Sequence, residues 1–151
     1  MLNIKAQRSL RYQMPLEVIL NGTYGWFSFS EQAKHAYREA GGSFDKASDI
    51  QRHDALMVSI VKRMGRAAHW KGLEIRIAVI PDRFATHYRI SEADDGMETV
   101  TIEHDSYRVE AVRAILNDEK RTDTERIVCA KAVLDERLVS CWRFYAGQES
   151  S

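Results

Sequence analysis

The segment LEIRIAVI, residues 73–80, limits this chain's fold more than any other stretch. Leu73, Ile75, Ile77 and Val79 alternate onto one face of an extended chain, and Ala78 and Ile80 make the other face apolar towards its end. Gly72 precedes the run and Pro81 closes it. A strand apolar on both faces needs cover on both, so it reads as central in its sheet rather than as an edge. A second strand is expected at LEVILN, residues 16–21, stopped by Asn21-Gly22.

Helices fill much of the remainder. Phe29, Ala33, Ala36, Tyr37 and Ala40 recur at helical spacing, with Gly41-Gly42 as the stop. Ser28 with Glu31 three residues later fits a capping box, and Ser30 is the rival cap. Asp54 is placed to cap the next helix, whose stripe is Leu56, Met57, Ile60, Val61, Met64 and Ala68. Val109, Val112, Ile115 and Leu116 predict a short helix beginning after Asp105 or Ser106. Thr122 and Glu125 form a second capping box. It opens a long helix with Ile127, Ala130, Leu134, Leu138, Cys141, Trp142 and Tyr145 on one side.

Between these helices THYRISEADDGMETVTI reads as a hairpin. With Asp94-Asp95-Gly96 as a three-residue loop and Gly96 left-handed, Tyr88 faces Ile102 and Ile90 faces Val100. A two-residue Asp95-Gly96 turn would set Tyr88 against Glu103, a poorer match. The preferred register puts Glu92 directly opposite Glu98, and such a like-charge pair calls for an Arg or Lys, a divalent cation or a shared proton. The order β-α-α-β-β-β-α-α predicts an α+β domain with a small, mostly antiparallel sheet. Residues 16–104 form its core, and 106–145 a C-terminal helical extension.

Net charge is zero, 22 basic against 22 acidic residues, which does not favour a generic nucleic-acid or membrane-surface binder. Charge is nonetheless segregated. Residues 50–71 hold Arg52, Lys62, Arg63, Arg66 and Lys71 against Asp54 alone, while residues 91–105 are acidic without a Lys or Arg. These two runs can pair, within a subunit or between subunits. The N-terminus carries Lys5, Arg8 and Arg11 without an acid, and is expected as a first strand, a frayed end or a basic arm. It lacks the apolar block of a secretion signal. Cys129 and Cys141, about 18 Å apart along the expected helix, are beyond disulfide reach and point to a reducing, cytoplasmic setting.

The stretch NGTYGWFSFS, residues 21–30, raises the question of a ligand. A strand, a glycine-containing turn and a helix start together make an anion site, where Gly22 and Gly25 let the backbone approach and Thr23 and Ser28 donate. Tyr24 or Trp26 could stack on a base, and Arg52, Asp54 and Arg66 of the next helix could complete the site. The alternative is that Trp26, Phe27 and Phe29 are core anchors and the serines only cap. There is no Gly-Lys-Ser/Thr or GxGxxG fingerprint, and the five histidines show no metal-ligand spacing. His53 beside Asp54 resembles a base and its orienter only on paper, because neighbours at a helix start point apart. No cofactor, metal site or catalytic residue is expected.

Four pieces then line up in order: YGWFSFSEQA, RHDALMVSIVKRMG, LEIRIAVIPD and YRIS…DDGMETV. Over about residues 16–104 the chain resembles a family of small proteins of bacteriophages, large DNA viruses and some bacteria. Its members show Gly-x-Phe-x-x-Ser, Arg-x-Asp, Ile-Pro-Asp and Asp-Gly-x-Glu at the corresponding places. The matching positions are Gly25, Phe27, Ser30, Arg52, Asp54, Asp82, Asp95, Gly96 and Glu98. The chain departs from the pattern at Ala55, where relatives carry Pro, and at Asp94, where they carry an aromatic. The resemblance implies a phage- or prophage-type accessory protein that acts by binding rather than turnover. The expected partner is an anionic small molecule, such as a nucleotide signal, or a host protein. A homo-oligomer built through the C-terminal helix is the alternative, and a metal-assisted phosphoesterase using the acidic hairpin a third reading.

Overall fold

A computed structural model describes residues 15–136 and 143–145. The basic arm at Lys5, Arg8 and Arg11, and the positions Leu138, Cys141 and Trp142, lie outside the described residues.

Strand β1 (Leu16–Asn21) pairs antiparallel with β2 (Ile75–Ile80), Leu16 opposite Ile80 and Asn21 opposite Ile75. The other edge of β2 is taken at the end of the chain by Arg143–Tyr145, so β2 is central as its two-sided pattern requires. One face of the sheet packs Ile19 and Ile77 against two helices, with Phe29, Tyr37, Met57 and Ile60 in the same cluster. The opposite face packs Val18, Leu20, Ala78 and Ile80 against Phe84, Val100 and Ile102. The two-sided strand therefore separates two cores.

On the first face lies α1 (Glu31–Glu39). Its cap is Ser30, whose Oγ accepts from Ala33 N at 3.1 Å, and not Ser28. Ser28 is still in extended chain, where its carbonyl accepts from Trp70 N at 3.0 Å, so it cannot open the helix. Helix α2 (Ala55–Met64) is capped by Asp54, which accepts from Met57 N at 2.9 Å, and the Tyr37 hydroxyl donates to its second oxygen at 3.1 Å. Gly65, with φ +60°, ends α2 before Ala68, which lies in a 3-10 turn. Asp54→Ala removes the cap and strands the buried Tyr37 hydroxyl. The expected loss is about 2–3 kcal/mol in urea unfolding, with Asp54→Asn retaining roughly half.

The hairpin pairs β3 (Tyr88–Glu92) with β4 (Glu98–Ile102) in the three-residue-loop register: Tyr88 faces Ile102, Ile90 faces Val100, Glu92 faces Glu98. Helix α3 (His104–Leu116) starts slightly earlier than its apolar pattern indicates. Buried His87 ties it to the hairpin: Nδ1 lies 3.1 Å from Ser106 Oγ, and Nε2 lies 3.0 Å from Glu110. Helix α4 (Asp123–Asp135) opens on the Thr122–Glu125 capping box.

The long C-terminal helix does not run to Tyr145. It ends at Asp135, Glu136 is extended, and Arg143–Tyr145 forms strand β5 on the edge of β2. A helix through this segment would leave the hydrogen-bonding edge of β2 without that partner. The chain is α+β, with two small antiparallel sheets and a C-terminal pair of helices followed by that strand. No helix among the described residues is long and apolar enough to cross a membrane.

Candidate functional site

The stretch after β1 is strapped to the hairpin tip. Gly22 N donates to Glu74 O at 3.0 Å, which carries the pairing with the segment before β2 one residue past β1. Asn21, only 1% exposed, then acts as the buckle: its Nδ2 donates to Gly25 O at 2.6 Å and to Gly96 O at 2.9 Å. Gly25 N donates in turn to Asp95 O at 3.0 Å. Gly25 and Gly96 both hold positive φ, near +90°. The two glycines are thus a backbone-to-backbone junction between loop and hairpin, a role capping could not explain.

Beside the junction, Arg52 resolves the conflict that the hairpin register creates. Nη2 donates to Glu98 Oε1 at 2.9 Å, and Nη1 donates to Oε2 at 3.0 Å and to Ile19 O at 3.2 Å. Asn21 N adds a third donor to Glu98, at 2.7 Å. The guanidinium carbon stands 3.9 Å from the centre of the Phe27 ring, a cation–π contact that also fixes its plane. So the acidic hairpin and the basic segment meet within one chain at the Arg52–Glu98 pair, while Lys62 pairs with Glu17 of β1. Glu98 is neutralised, and its cross-strand neighbour Glu92 stays exposed with no hydrogen bond or ion pair among the described residues.

These groups surround a cleft of about 290 Å³ lined by Gly25, Trp26, Phe27, Arg52, Glu92, Gly96 and Glu98. Of the residues singled out in the sequence, Gly25, Trp26 and Arg52 line it. Gly22, Thr23, Tyr24 and Ser28 belong to the same loop without lining the cleft, Asp54 serves α2 and Tyr37, and Arg66 lies in the turn after α2. Of the nine positions named for the resemblance, Gly25, Phe27, Arg52, Gly96 and Glu98 line the cleft, and Ser30, Asp54, Asp82 and Asp95 do not. Asn21 was legible only as a strand stop; nothing in its sequence context marks it as the buckle.

Trp26 is not a core anchor. It is 87% exposed, whereas Phe29 is buried and Phe27 packs edge-on against both Phe29 and His69. Trp70, half exposed, donates from Nε1 to Trp26 O at 3.3 Å, and the Lys71 ammonium lies 4.3 Å from the Trp70 ring centre. Tyr24, Trp26 and Trp70 are all exposed, and of the three Trp26 lines the cleft. Burial and then the nearby Lys71 charge hold the His69 imidazole below its ordinary pKa, so it sits neutral. The Tyr88 hydroxyl touches His53 Nδ1, and burial raises its pKa against the opposing pull of Arg52. His53 and Asp54 do point apart, to Tyr88 and to α2.

Of the four carboxylates at the hairpin tip, two are engaged within the fold. Glu98 is held by Arg52 and Asn21, and Asp95 Oδ1 accepts from Met97 N at 2.9 Å. Among the described residues no group of three His, Cys, Asp or Glu side chains is placed to share a metal. Ser106, His87 and Glu110 have the composition of a catalytic triad, but none of the three lines the cleft. Compared with protein-family models, with curated proteins and with solved structures, the chain matches none, so the cleft is interpreted from its own geometry.

Proposed function

We propose that this is a non-enzymatic accessory binding protein of the phage type, working in the cytoplasm, and that it engages a host protein at the cleft. A basic side chain of that partner enters beside Glu92 and passes under Trp26. The observation that carries this reading is the charge of the cleft: its one cation, Arg52, is already spent on Glu98, which leaves Glu92 as the uncompensated group. A guanidinium or ammonium complements that charge, and exposed Trp26, with Trp70 bonded to its carbonyl, supplies aromatic area of the kind that anchors protein interfaces. An anionic small molecule such as a nucleotide is the other occupant, and would have to displace Glu98 from Arg52.

The test is NMR shift mapping with Ac-Gly-Arg-Gly amide, Ac-Gly-Lys-Gly amide, ATP and inorganic phosphate. The basic peptides are expected to perturb Gly25, Trp26 and Glu92, and their affinity to fall at least about fivefold in Glu92→Gln and in Trp26→Ala. Perturbation by ATP alone would replace this reading with the anionic one.

A further inference from the structure

Away from the cleft, α3 and α4 form an antiparallel pair. Arg108 Nη2 donates to Glu136 O at 2.9 Å at one end, and Arg126 Nε donates to Asp118 O at 3.0 Å at the other. The pair buries little of its own apolar surface. Among the described residues α3 has no buried residue, and α4 has Ala130 alone. Val109, Leu116, Ile127, Val128 and Leu134 are each about half exposed or more. A groove of about 620 Å³ runs along α3, with Val109, Val112 and Leu116 meeting Leu134 of α4, and with Asp105 and Arg113 on its rim.

We propose that this groove is a dimer interface, filled by α3 of a second copy of this chain lying antiparallel across a two-fold axis at Val109. Charge spacing identifies the occupant. Asp105 and Arg113 each lie four residues from Val109, and within the described residues neither side chain has a hydrogen bond or ion pair. In an isologous contact residue i meets j while j meets i, so Asp105 of each copy faces Arg113 of the other. Under the same symmetry Val109 meets Val109 of the other copy, and Val112 stands opposite Ser106. Leu116 extends past the start of the opposite α3, the end of the groove where Leu134 lies. The result is an apolar centre with two ion pairs at its rim.

Size sets the strength. Helices of 13 residues each are about 20 Å long and about 10 Å across. Side by side they present a face of about 400 Å² per copy, roughly half of the ~800 Å² per partner of a standard interface, so the dimer is a weak one that forms towards the upper end of the concentration range. This surface uses α3 rather than an extended α4, and none of the cleft residues.

The experiment is sedimentation velocity on the full chain from micromolar to several hundred micromolar, with circular dichroism confirming that each variant is folded. Wild type is expected to dimerise and Val109→Glu to be monomeric. Asp105→Arg and Arg113→Asp, each placing like charges face to face, are expected to weaken the dimer at least about tenfold, and Asp105→Arg combined with Arg113→Asp to restore it. A monomer throughout the range overturns the proposal and leaves the groove to a different chain. A dimer indifferent to Val109→Glu, or a double reversal that fails to restore association, overturns it as well. Val109→Glu leaves Asp105 and Arg113 in place, so it reads this face even if Asp105→Arg disturbs the start of α3.

Discussion

Arg52→Ala is expected to lower the free energy of unfolding by about 3–4 kcal/mol, a large part of a small domain's stability. The Glu98 side chain is only 10% exposed, and Arg52 supplies two of its three donors. Without the guanidinium a carboxylate stays half-solvated directly opposite Glu92, where the register brings like charges together. Ile19 O loses a donor, and Phe27 loses the cation on its face. Arg52→Lys keeps the charge but neither the two-pronged geometry nor the stacking, so an intermediate loss is expected. Combining Arg52→Ala with Glu98→Gln should be milder than the two single losses added together, because the second change removes the stranded charge. Urea unfolding of the four variants checks this. A loss below about 1 kcal/mol for Arg52→Ala would mean that the pair does not hold the hairpin to the sheet.

Only the like-charge conflict behind that prediction was legible in the sequence, because the hairpin register is encoded locally. Alternation of Tyr88, Ile90, Val100 and Ile102 with Gly96 at the turn leaves one pairing that sets all four against each other on one face, and that pairing forces Glu92 against Glu98. A need for a cation near Glu98 follows from charge alone. Which cation supplies it is a tertiary fact: Arg52 reaches Glu98 only because the chain before α2 runs beside β1, with Ile19 N bonded to Arg52 O at 2.8 Å. The C-terminal segment misled for a related reason. Helical periodicity over residues 127–145 is a local signal, whereas the unpaired edge of β2 that captures Arg143–Tyr145 is set by a strand far away in sequence. Trp26 misled because an aromatic beside Phe27 and Phe29 looks like core; the turn at Gly25 instead directs it outward. Caps at Asp54 and Thr122 were legible because a cap acts within one helical turn.

Gly96→Ala and Gly25→Ala form a matched pair that tests whether the junction, rather than glycine flexibility, holds the site together. Both residues have nearly the same dihedral, φ +89° and +90°, so an alanine carries a similar backbone strain of about 1–2 kcal/mol at either. Their surroundings differ. A Cβ on Gly25 meets nothing within 4 Å, while a Cβ on Gly96 would stand 2.6 Å from Gly25 N and 2.7 Å from Gly25 O. Neither of those atoms can move freely, since one donates to Asp95 O at 3.0 Å and the other accepts from Asn21 Nδ2 at 2.6 Å. Relief therefore requires prying the loop off the hairpin. Gly96→Ala is expected to cost about 3–4 kcal/mol, strain plus the overlap, against about 1–2 kcal/mol for Gly25→Ala. Prying also moves Trp26 and widens the cleft, so Gly96→Ala should shift the tryptophan emission of the folded protein and weaken any ligand of Glu92, while Gly25→Ala should do neither. Equal costs for the two alanines would leave only the dihedral in play and would show that the close approach at Gly96 is not what joins loop to hairpin.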